Sequence, residues 1–355
     1  MSGGKVLKWG PVNFICHMRC LSALFWVVLL AGCVAIRDSS FQRYDFQRPQ
    51  MGLPFRIVLY ARDETSAKAA AEAVWARISD LNHILSDYEE ESELSRLSRS
   101  SGSGRWISLS RDLAQVLVTA QEISRLSDGA FDVTVGPEVQ LWKRARRQRE
   151  LPSEEALNAA RLATGWQHMK LRRQGSVWEA RLDQPRMRLD LGGIAKGYAL
   201  DEAATVLRKL GIQRFLVSGG GDMVVGDAPP GESGWRVEAG VFDATDAPPP
   251  RPLRIQNVGL ATSGDTFQRA EIGGIRYSHI VHPKTGLGLT DHSLVTVLAP
   301  QGMLADALSK VISVLGPEKG LVLARRYNAE AFILRKPSDK TEESQSSGFR
   351  RWLER

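Results

Sequence analysis

Between residues 186 and 211 the hydrophobic period of the chain changes. Met187, Leu189 and Leu191 alternate with polar neighbours, the two-residue repeat of a half-buried strand. Ala199, Leu200, Ala203, Val206, Leu207 and Leu210 then recur at helical spacing, and Gly211 falls where a helix would stop. The pattern predicts a strand, a glycine-rich corner over residues 191–197 and a helix. Asp190 sits at the strand end and Lys196 at the helix start. Glycines let a backbone approach a ligand closely, and a helix N-terminus offers free N–H groups to phosphate. The same corner also suits a tight turn with a solvated lysine. Neither the G-x-x-x-x-G-K-[ST] nor the G-x-G-x-x-G spacing of nucleotide loops is present.

The same reading extends along the chain. Residues 55–60 read as a strand, and residues 66–85 as a helix with Ala70, Ala73, Val74, Ile78 and Leu81 on one face. Residues 113–126 form a second amphipathic helix, and Ser153 is placed to cap another. Residues 215–226 read as strand, glycine turn and strand; no helix follows, which excludes a dinucleotide fingerprint there. Residues 227–252, rich in proline, glycine and acid, read as surface loop. A helix over residues 303–315 stops at Gly316-Pro317, with Leu304, Leu308, Val311 and Leu315 as its buried stripe; Asp306 and Lys310 lie one turn apart on another face. The basic run Lys143, Arg144, Arg146, Arg147, Arg149 reads as a solvated, flexible segment or as an anion patch. From Pro337 onward apolar residues are too few to pack, apart from a short helix around Trp352.

With 355 residues, 43% of them hydrophobic, the chain has ample material for a core. Three of its seven net positive charges lie in residues 1–32 (Lys5, Lys8, Arg19, no acid), leaving +4, too mild a balance to imply nucleic acid. All three cysteines (Cys16, Cys20, Cys33) fall in the first 33 residues, so the body holds neither a disulfide framework nor a cysteine metal site. The early basic residues precede an apolar run over residues 21–31, too short to span a bilayer but suited to a signal-peptide core. It ends in Leu30-Ala31-Gly32-Cys33, which looks like a bacterial lipobox, with the Cys33 thiol as acyl acceptor. Met18 is an alternative start.

Several motifs stand in one order. Met51-Gly52 is followed by a segment from Ser86 through Tyr88 to Leu97; Gly129-Ala130-Phe131-Asp132-Val133-Thr134-Val135-Gly136-Pro137 comes next. The corner Asp190-Leu191-Gly192-Gly193-Ile194-Ala195-Lys196-Gly197-Tyr198-Ala199, then residues 261–265, 277–286 and 305–308, complete the series. Together they resemble the ApbE family, the FAD:protein FMN transferases, from about Met51 to Leu334. The resemblance implies a single compact α+β domain with mixed or antiparallel strands and flanking helices, FAD in a cleft, and a preceding lipoprotein signal peptide. The boundaries expected are 1–32 signal peptide, 33–48 tether, 49–335 transferase domain and 336–355 disordered tail.

By resemblance, Met51, Tyr88, Ala130, Phe131, Asp132, Asp190, Lys196 and Ile280 contact FAD. Mg2+ is held by the Gly193 carbonyl, by Asp306 and by the side chain four residues later, here Lys310. His279 is the base that deprotonates a threonine or serine hydroxyl of a target flavoprotein, a subunit of a membrane respiratory or redox complex. FMN joins that hydroxyl and AMP leaves. Two departures from the family pattern bear on this. His282 stands where an aspartate is usual, which leaves open which histidine acts. Lys310 stands where a threonine is usual, and an ammonium has no lone pair for a cation. Either the lysine swings to the pyrophosphate while Ser309 or water completes the metal shell, or Lys310 pairs with Asp306 and replaces part of the cation's charge. Two rival activities use the same site: an FAD pyrophosphatase releasing FMN and AMP, and a flavin-binding lipoprotein without catalysis. The expected location is the bacterial cell envelope, facing the periplasm on a lipid anchor.

Overall fold

Backbone pairing in the computed structural model is dominated by an antiparallel sheet. The structure describes residues 1–3, 41–266 and 268–354. It separates into Met1–Ser39 and Ser40–Arg355, and all that follows concerns the second unit. Cys33, the signal peptide and the first part of the expected tether lie outside the described residues.

In chain order, β1 (Gln42–Gln50) and β2 (Leu53–Ala61) lead into α1 (Glu64–Leu85) and α2 (Glu93–Arg99). The short β3 (Ile107–Leu109) precedes α3 (Arg111–Leu126), α4 (Gly136–Gln148) and α5 (Glu154–Leu162). Then come β4 (Met169–Gln174), β5 (Val177–Leu182), the corner, and α6 (Ala195–Lys209). They are followed by β6 (Phe215–Gly219), β7 (Asp222–Val225), β8 (Trp235–Ala239), β9 (Arg251–Ile255) and β10 (Val258–Gly264). The hairpin β11 (Arg269–Ile272) and β12 (Ile275–Ser278), then β13 (His292–Ala299), α7 (Gly302–Arg326), β14 (Glu330–Lys336) and β15 (Glu342–Gln345) close the chain.

The main sheet has eight strands in the order β1-β2-β6-β7-β10-β13-β14-β15. Every neighbouring pair is antiparallel. Side chains alternate between its faces. Ala261, Val295, Val297 and Ile333 pack under Ala305, Leu308 and Ile312 of α7. Leu260, Leu294, Phe332 and Leu334 meet Trp235, Leu253 and Phe349 on the opposite face. Because both faces are covered, β13 reads as an almost unbroken apolar run rather than an alternating one. Alpha-helix α1 turns its buried stripe (Ala67, Ala70, Val74, Ile78) against Leu200, Ala203 and Leu207 of α6. A second core gathers α2, α3 and the small β3-β5-β4 sheet around Leu189, Leu191 and Ile194.

Several expectations are corrected. Met187, Leu189 and Leu191 are buried as the alternation required, at 2%, 0% and 2% exposure. Yet the segment is not a ladder strand: its one bridge is Arg188 to Val135, and the Leu189 and Asp190 N–H groups donate to Ser98 Oγ and the Val133 carbonyl. Residues 42–48, expected as tether, belong to edge strand β1. Its polar side chains face water, Tyr44 and Phe46 pack inward, and Asp45 pairs with Arg56 of β2. The expected loop 227–252 contains β8 and the start of β9, and the expected disordered tail contains β15; the 3-10 turn at Phe349–Trp352 stands where a short helix was expected. There Phe349 is fully buried and stacks on Phe332 with ring centroids 5.4 Å apart. The basic run after Trp142 is not flexible but the last turns of α4. Gly316 does break α7 (φ 76, ψ 177), but the chain resumes helical form at Pro317 and continues to Arg326.

Candidate active site

The corner is closed by its own residues. Asp190 Oδ1 accepts the Gly192 N–H at 2.9 Å, and the Leu191 carbonyl accepts those of Ile194 and Ala195, at 3.0 and 2.8 Å. This turn starts α6, which packs directly against α7. Gly197 lies so close that a Cβ there would stand 2.2 Å from the Gly302 carbonyl oxygen and 2.8 Å from Asp306 Cβ. Asp201 of α6 accepts the first N–H groups of α7, Gly302 at 2.7 Å and Met303 at 2.9 Å, and so caps a neighbouring helix. Burial raises the Asp201 carboxyl to about 6.

Two carboxylates and two ammonium groups meet at this junction. Asp306 is fully buried; its Oδ2 accepts the Gly197 N–H at 3.0 Å and its Oδ1 is held by Lys310 Nζ. Lys196 Nζ pairs with Asp222 Oδ2, and Asp222 Oδ1 accepts the Thr262 N–H at 3.1 Å. Burial opposes the ionisation of Asp306, but the Lys310 and Lys196 charges outweigh it and lower its pKa. Asp222 is pushed the other way, by burial first and by the Asp306 charge second. Burial likewise disfavours the charged form of Lys196, and Asp306 and Asp222 more than compensate.

The stem of Lys310 runs past Gly193, whose absent Cβ would lie 3.6 Å from Lys310 Cγ and 3.2 Å from the Phe131 ring. Asp190 is joined to Tyr88 through Lys143. The Lys143 Nζ lies 3.4 Å from both Asp190 Oδ2 and Asp87 Oδ2, and 4.6 Å from the centre of the Tyr88 ring, which is 77% exposed. Met51 and Gly52 both have positive φ (51° and 72°), which makes the two-residue turn between β1 and β2. The next residue, Leu53, touches the Gly220 position, where Lys196 Cδ is also in reach at 3.6 Å.

His279 follows β12 at the base of its hairpin, its Nδ1 3.3 Å from the Gln268 carbonyl. Burial lowers its pKa to about 4, helped by the positive charges of Lys310 and Arg146. The histidine is therefore a neutral imidazole at physiological pH. His282 lies elsewhere: with Ala130, Lys284 and Leu315 it lines a cavity of about 320 Å³ that none of Lys196, His279, Asp306 or Lys310 borders.

The structure thus brings together Gly193, Lys196, Asp306, Lys310 and Phe131, with Asp190 and Tyr88 alongside. Ala130 faces the other cavity. Asp132 is turned inward: its carboxylate accepts from Thr134 N, Thr134 Oγ1 and Trp166 N at 2.8, 2.7 and 2.9 Å, and it organises the loop. Ile280 is buried, its N–H on Ser278 Oγ at 3.1 Å. Sequence reasoning passed over Asp222 and met Lys143 only within the basic run. The first was visible as an acid behind three glycines; the second needed its run to be read as helix.

The family model for ApbE matches residues 51–333. The chain belongs to the ApbE family. It is 31% identical to the FAD:protein FMN transferase of Escherichia coli K12 over 317 residues, covering 85% of this chain and 87% of that one. It is 30% identical to the Vibrio cholerae enzyme of the same name over 343 residues, 94% and 98% of the two chains. Among solved structures, the flavin transferase ApbE of Vibrio cholerae superposes with a TM-score of 0.78 at 30% identity, covering 88% of this chain and all of that one. The apo flavinyl transferase ApbE of Pseudomonas stutzeri gives 0.77 at 28% identity, covering 88% and 97%.

The magnesium site expected for an ApbE protein does not fit the residues present. Both Asp306 oxygens are already engaged, and position 310 offers an ammonium where a second oxygen was expected. Lys310 is therefore not a metal ligand. Ser309 does not substitute for it: its hydroxyl is buried against Ser263 Oγ at 2.7 Å and the Asp306 carbonyl at 2.7 Å.

Proposed function

We propose that this protein is an FAD:protein FMN transferase acting on a threonine or serine hydroxyl. The observation that carries the reading is the junction of the glycine corner with α7. It sets two ammonium groups beside a corner that admits a phosphate backbone, with Tyr88 and Phe131 within the same region for an aromatic ring. FAD binds with its pyrophosphate against Lys196 and Lys310 and its flavin toward Tyr88. His279 is the better-placed histidine for the base, since its field is that of Lys310 and Lys196 and His282 faces another cavity. The acceptor hydroxyl gives its proton to His279, and its oxygen forms a bond to the FMN phosphorus. The bond from that phosphorus to the bridging oxygen breaks, and AMP leaves with the electron pair. Positioning and charge stabilisation supply most of the rate in such transfers.

The target is a flavoprotein subunit of a membrane respiratory or redox complex, and the enzyme faces the periplasm on a lipid at Cys33. A tether of this kind raises the local concentration of membrane partners. The test is to incubate the full chain in detergent with FAD and a protein carrying the acceptor hydroxyl. In-gel flavin fluorescence on the acceptor with equimolar AMP is expected. AMP without a fluorescent acceptor would indicate a pyrophosphatase, and bound FAD with neither product a carrier. Cys33→Ala is expected to move the protein from the membrane to the soluble fraction.

A further inference from the structure

We infer that Lys310 is a built-in replacement for a divalent cation, so that the transfer site works on ammonium groups alone. The inference rests on the transferase reading.

Three observations carry it. The first is occupation. Asp306 has one oxygen on the Gly197 N–H and the other on Lys310, and it is wholly buried. A hard cation placed there would have to displace a covalently tethered positive charge, and position 310 offers it no oxygen ligand. Among the described residues, no cluster of three or more His, Cys, Asp or Glu side chains has metal-binding geometry.

The second is charge balance. Asp222, Asp306 and Lys196 sum to −1, and Lys310 brings the group to zero. With a neutral residue at 310 the same group would stay negative and would repel a pyrophosphate until a cation entered. Lysine supplies the missing charge through the covalent chain.

The third is unused donor capacity. An ammonium carries three N–H donors. One of those on Lys310 is spent on Asp306, and among the described residues no second acceptor takes another. The side chain is 16% exposed, and its stem lies along Gly193, so the free donors sit beside the glycine corner. They can hold phosphoryl oxygens as a compact point charge. The bonds made and broken are those of the transfer itself, and the proton goes to His279.

The test measures flavinylation of an acceptor protein by the full chain in EDTA and in excess Mg2+, beside Mn2+ binding followed by electron paramagnetic resonance. The wild type is expected to transfer FMN at rates equal within about twofold in the two conditions and to bind no Mn2+ at this site. Lys310→Thr is expected to lose about a hundredfold in EDTA, to recover with Mg2+, and to bind one Mn2+. A wild type that needs Mg2+, or that binds stoichiometric Mn2+, overturns the inference and leaves the transferase reading intact. So does a Lys310→Thr variant fully active in EDTA. If no condition gives flavinylation, the transferase reading fails. The Mn2+ titration then decides the cation site alone: binding by the variant and not by the wild type supports the replacement, and binding by the wild type refutes it. Thermal melting of Lys310→Thr identifies a folding failure. In that event the wild-type EDTA comparison and Mn2+ titration remain decisive.

Discussion

Neutralising Lys196 while keeping its bulk, as in Lys196→Met, leaves Asp222 as a carboxylate of 1% side-chain exposure with its ion-pair partner gone. Breaking a buried pair from one side costs about 3–5 kcal/mol, because the remaining charge is stranded. Asp222 is already pushed upward by burial and by Asp306, so it escapes part of that cost by taking up a proton. The loss expected for Lys196→Met is therefore about 3 kcal/mol, the low end of that range. Asp222→Asn retains an oxygen for the Thr262 N–H and strands Lys196 instead, with a loss of similar size. The double variant Lys196→Met/Asp222→Asn removes both charges, and its loss is expected below about 2 kcal/mol, far less than the sum of the singles. Urea unfolding at pH 7 measures all four corners of the cycle. Flavin transfer should behave differently. It stays about a hundredfold down in the double variant, since the stability returns but the ammonium does not. Additive losses would show that the pair is not coupled, and recovery of transfer by the double variant would show that Lys196 acts only as a structural counter-charge.

His279, the proposed base, takes up a proton as pH falls through about 4, so kcat/KM is expected to be flat from neutral pH to about 5 and to drop only below that. Arg146→Ala removes one of the charges that depress this histidine and should move the acid limb upward; an unmoved limb refutes the coupling. Glu138 is fully buried, has no hydrogen-bond partner for either oxygen, and is raised from 4.5 to about 8 by burial and by Asp132. The native state then holds its proton where the unfolded chain has lost it, so stability falls as pH rises from 4.5 to 8, by up to about 5 kcal/mol. Glu138→Gln should flatten that slope in denaturation curves at pH 5 and 8.5; parallel curves for the two proteins would refute it. Gly197→Ala drives a methyl against the Gly302 carbonyl and Asp306, and is expected to cost about 1–3 kcal/mol by urea unfolding and to impair transfer. Wild-type stability and activity in this variant would mean that α6 and α7 separate freely.

The period of the sequence read the burial of the corner well and its hydrogen bonding poorly. Met187, Leu189 and Leu191 are buried because the chain crosses a core, yet periodicity carries no record of whether a neighbour completes a ladder. Alpha-helix α6 was legible to within a residue or so, since its stripe, its entry and Gly211 are all local. Strand β1 was not, because an edge strand is held by backbone pairs to β2 and its side chains are free to be polar. The C-terminal residues escaped for a related reason: one buried anchor, Phe349, fixes a stretch whose composition is that of a solvated tail. At the site, motif matching selected Gly193, Lys196 and Asp306 correctly as neighbours. The partner of Lys196 could not be read, because Asp222 approaches through the turn between β6 and β7. The inward bonds of Asp132 could be read only in part: those from Thr134 are local, and that from the Trp166 N–H comes from 34 residues away.

Strand β1 also fixes a length. It starts at Gln42, nine positions after Cys33, the residue proposed to carry the lipid. Nine peptide steps fully drawn out reach about 30 Å, comparable to the thickness of a bilayer's hydrocarbon. With the lipid proposed at Cys33, a domain moored so closely would patrol a shallow layer above the membrane. A hydroxyl presented within a few nanometres of the headgroups would be accessible to it, and one carried far into the aqueous space by a tall partner would be out of reach.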